Sequence, residues 1–334
     1  MSVALSDDVH AVVRELSTEA REMLHQLGVT IAAAFGGPSH PRFRRTIASM
    51  AASIDGELRE LVRPPPDDSG ICVLRGVAIE QQALGQTPPI WAAVDKTAGL
   101  PLDIQMMLLA AMIGRPFGWH GQQEGRFVNN VVPARGYENV QTGASSSVSL
   151  SPHTEDAFHP HRAHVFLLGC VRNPDRVATT ISSVRHVDTT DADREILLRA
   201  SVPIIPDLTY GAFTQQSARP VPTLWKRDDG LCLRYDPDYT PLTDAVPEFR
   251  SAYQRLGAEL KRVGRAVVLE PGDVAIIDND IAVHGRVPFK ARFDGTDRWL
   301  KRINVAIPGR HRPSTERSES GYGQRIEYLF PEPS

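Results

Sequence analysis

Residues 153–171 read HTEDAFHPHRAHVFLLGCV, and the fold turns on how this stretch is read. Its second half, HVFLLGCV, is a strand-like apolar run. Its first half sets His153 and Glu155 two residues apart. On an extended strand residues i and i+2 share a face, so imidazole and carboxylate converge while Thr154 turns away. Asp156 then points to the opposite face. A His-x-Glu pair also arises by chance, as a surface histidine beside a solvated acid. His159, His161 and His164 read as structural histidines.

Outward from this stretch lie similar short runs: RFVNNVVP (126–133), ATTISSV (178–184), CLRYD (232–236), AVVLE (266–270), VAIIDN (274–279) and LKRINVAI (300–307). Helical intervals interrupt them at 191–200 and 247–263, and Pro271-Gly272-Asp273 makes a turn between two strands. Many short strands with turns between them predict an antiparallel sandwich or barrel such as a jelly roll. Before them, GICVLRGVAI (70–79) is β-rich, and DIQMMLLAAMIG (103–114) reads as a buried helix. The first sixty residues or so read as helices. Ser6 caps one whose apolar positions are Val9, Val12, Val13 and Leu16. Gly28 and then Gly36-Gly37-Pro38 break the pattern, a second helix runs from Pro41 to Leu61, and Pro64-Pro65-Pro66 stops it. The result is one α+β domain over 1–334: a helical scaffold (1–69), a jelly-roll core (about 115–310) and a polar, partly mobile surface tail (311–334).

Composition narrows the function. A net charge of −3 gives no electrostatic case for nucleic acid or an anionic membrane. No apolar run has the length of a membrane helix, and the N-terminus has no signal-peptide pattern, so the chain reads as cytoplasmic. Cys72, Cys170 and Cys232 stand far apart in apolar contexts and read as small buried hydrophobes.

A third metal ligand must come from elsewhere. His284, in IIDNDIAVHGRVPF, follows the strong strand Val274–Ile277. Two histidines and one carboxylate on one face of a metal leave positions open opposite, which suits iron(II) oxygen chemistry. Arg298 lies fourteen residues beyond His284, across the turn Phe293-Asp294-Gly295-Thr296. A hairpin there would return its guanidinium to the metal's face, as a two-hydrogen-bond clamp for the distant carboxylate of a chelating 2-oxo acid. The competing reading is a surface arginine beside Asp297.

From about Gly121 to Ile307 the chain resembles the clavaminate synthase-like group of 2-oxoglutarate oxygenases. The resemblance rests on HTEDAFHPHRAHVFLLGCVRNPDRVATTISSVR (153–185) and DNDIAVHGRVPFKARFDGTDRWLKR (278–302). It implies a double-stranded β-helix flanked by helices, iron(II) held by His153, Glu155 and His284, and 2-oxoglutarate held by Arg298 and Thr179, with Thr180 the neighbouring option. In the amino-acid hydroxylases of the group a glutamine holds the substrate's α-amino group, which matches Gln122. An arginine four residues past the oxoglutarate arginine contacts its carboxylate, which matches Arg302.

An acidic pair reads the side chain, which matches Asp236 and Asp238 in LRYDPDYT (233–240). On a strand they share a face and suit a cationic or donor-rich end group; otherwise they form an Asp-Pro turn with a solvated acid. One of Ser145-Ser146-Ser147 is a further candidate for the pocket wall. The resemblance places a mobile lid between Ser201 and Leu231. The implied reaction uses O2 to hydroxylate C3 or C4 of a free amino acid or derivative in natural-product biosynthesis, with desaturation or ring closure as alternatives. A zinc hydrolase and a non-catalytic metal-binding jelly roll are readings from other classes.

Overall fold

In the computed structural model, residues 12–54, 56–210 and 219–331 are described. Val12–Glu15 is a strand, β1, rather than the end of a helix. It runs parallel to β2 (Ile71–Arg75), with Val12 opposite Cys72 and Glu15 opposite Arg75. The spacing of its valines fits either period over so short a window, and a free sheet edge decided between them. Ser6 and Val9 lie outside the described residues. The first helix is α1 (Thr18–Phe35), capped by the Ser17 hydroxyl, which accepts the Ala20 N–H at 3.2 Å. Gly28 does not break it. A Cβ at that position would stand 2.6 Å from the Pro101 carbonyl oxygen, so the glycine allows two helices to pack closely. The expected second helix is two, α2 (Phe43–Ser53) and α3 (Glu57–Leu61), separated by the extended backbone of Ile54.

The remaining elements follow as α4 (Gln81–Leu84), α5 (Leu100–Ile113), β3 (Arg115–Trp119), β4 (Val128–Val131), β5 (Leu150–His153), β6 (Val165–Arg172), β7 (Thr179–Ser183), α6 (Asp191–Leu197), β8 (Leu224–Arg227), β9 (Gly230–Leu233), α7 (Pro247–Arg262), β10 (Arg265–Val267), β11 (Val274–Asp278), β12 (Ala282–Arg286), β13 (Trp299–Ala306) and β14 (Ile326–Tyr328). The large sheet runs β1-β2-β11-β6-β13-β3-β14, with β4 also paired to β13. The small sheet runs β10-β7-β12-β5. Successive strands β10 and β11, and β12 and β13, lie in different sheets. The segments between them therefore cross from sheet to sheet, and the hairpin expected before Arg298 is such a crossing. This is a double-stranded β-helix, as the resemblance implies and in keeping with the jelly roll that the strand pattern predicts.

Three cores hold the layers. Between the sheets, Phe166, Leu168, Cys170, Ala275, Ile277 and Leu300 meet Ile181, Val267 and Ala282. Outside the large sheet, Leu167, Ile276, Ile303 and Val305 meet α1, α2 and α5. Outside the small sheet, Val283 meets Phe249, Leu256 and Leu260 of α7. Strand β6 thus buries both faces, with Val165, Leu167 and Val171 outward and Phe166, Leu168 and Cys170 inward, and so reads as an unbroken apolar run. All three cysteines are free and buried. Among the described residues no helix is long and apolar enough to cross a membrane.

The C-terminal segment is not a loose tail. Strand β14 pairs with β3, and Leu329 is fully buried. Arg310 donates to Asp278 at 2.7 and 3.1 Å, Arg312 to Asp280 at 2.8 Å, and the buried Glu316 accepts from Arg162 at 2.8 and 3.1 Å. Polar composition reads as surface, but these charges are buried as partnered pairs.

Candidate active site

His153 closes β5 and stands directly opposite His284 on β12. The His153 Nδ1 faces the Ser151 carbonyl at 2.8 Å, which fixes the ring with Nε2 free. Glu155 lies beyond the end of β5, not on it, so strand alternation is not what aims its side chain. The chain turns instead: Asp156 has a φ of 54°. Asn279 clamps the turn, accepting the Glu155 N–H at 2.8 Å and donating to the carbonyls of Glu155 (3.0 Å) and Ala163 (2.9 Å). The flanking Asp278 and Asp280 carry the ion pairs of Arg310 and Arg312, so the C-terminal segment braces the loop that carries Glu155.

Among the described residues, one donor atom each from His153, Glu155 and His284 lies within 4.8 Å of the others. The Glu155 Oε2 is 3.3 Å from the His284 Nε2. Burial and the neighbouring His153 lower the His284 pKa to about 4 despite Glu155, so its lone pair is available at neutral pH. Burial alone would raise the Glu155 carboxyl, but the Arg302 guanidinium and both histidines hold it well below the usual range. Two imidazoles and one carboxylate, converging from one side on an open cavity, fit a divalent metal with free coordination positions. The close pairing of β5 and β12 depends on Gly285, where a Cβ would stand 2.4 Å from the Leu150 carbonyl oxygen. Gly285→Ala is expected to part the strands, lower the melting temperature by several degrees and weaken Mn(II) binding about tenfold. An unchanged calorimetric affinity would show that the pairing does not set the donor geometry.

The donors open onto a cavity of about 520 Å³ that also includes Gln122, Thr179, Asp207, Tyr210, Asp236, Asp238, Arg286, Arg298 and Arg302. Arg298, 7 % exposed, donates from Nη2 to the Thr179 hydroxyl at 3.0 Å, while its buried Nε has no partner among the described residues. Thr180, the neighbouring option, is opposite Gly285 in the ladder and does not line the cavity. Arg302 contacts Glu155 Oε1 through Nη1 and donates from Nη2 to Gln122 Oε1 at 2.8 Å. Gln122 in turn donates to the Tyr210 hydroxyl at 3.2 Å.

Asp236 and Asp238 lie in a turn after β9, not on a strand. Asp236 accepts the N–H groups of Asp238 and Tyr239 at 3.2 Å each. Both acids still line the cavity, Asp236 half-buried and Asp238 exposed at its mouth. Burial pushes the Asp236 carboxyl up to about 7, against the pull of His153.

The serine run does not line the cavity. The Ser145 hydroxyl and the Ser146 carbonyl instead hold Arg286, at 2.9 and 3.1 Å. His159 and His164 are structural: burial keeps both neutral, and His164 accepts the Ile307 N–H at 2.9 Å. Four features escaped the sequence reading. Asp156 is buried and accepts from Trp119 (2.7 Å), Asn304 (3.0 Å) and Tyr210. Burial and the adjacent Glu155 push it up to about 7. Asn279, Asp207 and Arg286 are the others. Only Arg286 left a usable sign, since the spacing His284-x-Arg286 puts it on the metal face of a strand. Residues 211–218 of the expected lid lie outside the described residues.

Comparison with known proteins agrees with this geometry. The family described as "Taurine catabolism dioxygenase TauD, TfdA family" matches residues 46–304. An enduracididine beta-hydroxylase from Streptomyces hygroscopicus is 37% identical over 270 residues, covering 72% of this chain and 77% of its own. An L-ornithine/L-arginine 3-hydroxylase from Catenulispora acidiphila is 33% identical over 266 residues, with the same coverages. The crystal structure of the non-haem iron oxygenase OrfP with Fe, succinate and (3S)-hydroxy-L-Arg superposes with a TM-score of 0.78 at 33% identity, over 88% of this chain and 94% of that one. An asparagine oxygenase complex with Fe(II), 2S,3S-3-hydroxyasparagine and succinate gives 0.78 at 27%, over 88% and 93%. With its fold, its open His-Glu-His centre and a family match across most of its length, the chain belongs to the TauD/TfdA family of iron- and 2-oxoglutarate-dependent oxygenases.

Proposed function

We propose that the protein hydroxylates a free amino acid with a cationic end group, most directly a guanidino amino acid at C3, using iron(II), 2-oxoglutarate and O2. The observation that carries this reading is the cavity's charge layout. Arg302 and Gln122 lie beside Glu155, a setting for an α-carboxylate and an α-ammonium, and Asp207, Asp236 and Asp238 supply acceptors for a cation. Relatives that act on arginine, ornithine and enduracididine support it.

His153, Glu155 and His284 would hold the iron, which when bound supplies the oxidising power to break an unactivated C–H bond while 2-oxoglutarate becomes succinate. The chain's own residues do the positioning. The Ser151 carbonyl orients His153, and Asn279 fixes the turn that aims Glu155. The unpartnered Arg298 Nε and the Thr179 hydroxyl offer hydrogen bonds to the distal carboxylate of the co-substrate. Arg302 gives its guanidinium to the substrate carboxylate, and Gln122 Oε1 accepts from the ammonium. Asp236, once ionised, accepts from the guanidinium end. Trp119 and Phe158, each meeting the Tyr210 ring edge to face, close the wall behind Asp156.

The test is a panel of free amino acids incubated with iron(II), ascorbate and 2-oxoglutarate. Succinate release should rise with L-arginine or a cyclic guanidino relative, with a product heavier by one oxygen; a loss of two hydrogens would mark desaturation or ring closure. No stimulation by any member would sink the free-amino-acid reading. The acid site has its own signature. Asp236 must ionise to hold a cation, so below its pKa of about 7 binding must displace a proton. The KM for the cationic amino acid should be about tenfold higher at pH 6 than at pH 8, and Asp236→Asn should raise it and flatten the profile. A profile unchanged in Asp236→Asn would remove Asp236 from substrate binding.

A further inference from the structure

Arg286 lines the same cavity and has no part in the reading above. It is 4 % exposed and stands on β12, two residues from His284 and therefore on the same face. In the β12–β7 ladder it is directly opposite Thr179, and cross-strand partners project to one side of a sheet. Thr179 is thus bonded to one guanidinium, that of Arg298, and lies across the ladder from another. The Arg286 hydrogen bonds all go to neutral acceptors: the carbonyls of Ser146 (3.1 Å), Val287 (3.0 Å) and Val148 (3.1 Å), and the Ser145 hydroxyl (2.9 Å). Among the described residues neither Arg286 nor Arg298 pairs with a carboxylate, whereas the buried Arg162, Arg234 and Arg312 all do. Two buried cations without a counter-ion leave a site whose charge is completed only by an anion from solution.

We infer that Arg286 is a second cation of the co-substrate pocket: a positioning residue that acts through Arg298 and Thr179 on the distal carboxylate, and so favours 2-oxoglutarate over 2-oxo acids ending in a neutral group. It rests on the 2-oxoglutarate reading of this site. A 2-oxo acid such as 2-oxobutanoate would leave both guanidiniums uncompensated, so the second charge adds discrimination rather than a new contact. The competing role is a brace for the loop 145–148.

Two variants separate charge from bracing. Arg286→Gln keeps an amide able to donate to the loop carbonyls but carries no charge. Arg286→Lys keeps the charge and loses the planar fork. Binding of 2-oxoglutarate and of 2-oxobutanoate to the Mn(II)-loaded protein is measured by calorimetry, with melting temperatures alongside. Arg286→Gln should weaken 2-oxoglutarate at least about tenfold while leaving 2-oxobutanoate unchanged, and Arg286→Lys should keep the wild-type preference within about threefold. Equal weakening of both acids in Arg286→Gln, or no weakening, would reduce Arg286 to a brace. So would a lost preference in Arg286→Lys, which decides the matter even where Arg286→Gln does not fold. Wild-type protein that fails to bind 2-oxoglutarate would overturn the co-substrate reading itself, and this inference with it.

Discussion

His284→Ala is expected to lower the affinity for Mn(II) or iron(II) about a thousandfold and to abolish succinate formation. The magnitude follows from the gross binding free energy of a protein metal site, about 10–16 kcal/mol, shared among three or four ligands, so that one imidazole accounts for about 4 kcal/mol. The loss should be specific. The side chain packs against Phe166, with ring centroids 4.7 Å apart, and its removal costs the fold only about 1–2 kcal/mol. Calorimetric metal titration beside a thermal melt checks both parts. A metal affinity within about threefold of wild type would show that His284 is not a ligand and that the centre lies elsewhere in the cavity.

The second large effect is at Arg298. Arg298→Ala should raise the KM for 2-oxoglutarate about a hundredfold, the usual cost of removing one partner from a buried, charge-assisted pair. Among the described residues the guanidinium has one bond, to Thr179, and its Nε is unpartnered, so little else there holds it but a ligand. Amino-acid binding measured without 2-oxoglutarate should be unchanged, since Arg302 rather than Arg298 lies beside Gln122. If the 2-oxoglutarate requirement stays the same, Arg298 has no part in holding it. If both requirements rise together, the variant has disturbed the β13 entrance as a whole.

Much of this molecule was legible in the chain. The runs at 164–171 and 274–279 became β6 and β11, because strands buried on both faces leave nearly unbroken apolar sequence, and the run at 300–307 became β13. The intervals at 191 and 247 became α6 and α7. Short windows were not legible. Val12–Glu15 suits helix or strand, and only the open edge of β2 settled it. Gly28 reads as a breaker, and only the nearness of Pro101 shows it as a contact. At the site, Glu155 was picked out by a rule of strand alternation that does not operate there, because the strand ends at His153 and the turn is set by Asn279 from 124 residues away in sequence.

The sequence by itself determined the chemistry on offer around His153: two histidines, an acid and an arginine in an order and setting that marks an open metal centre. Those signals are local, written in residue type and spacing. The tertiary structure alone decided which charges are satisfied and which are not. Nothing local in the chain marks Arg162, Arg234 and Arg312 as paired or Arg286 and Arg298 as unpaired. Folding gives the first three carboxylate partners and leaves the last two facing a cavity with none among the described residues. The physical reason is that a counter-ion is a neighbour in space, and these pairs close over separations that no local pattern records. The residues around His153 thus offer the metal donors, and the packing around them decides which buried charges are left to be completed.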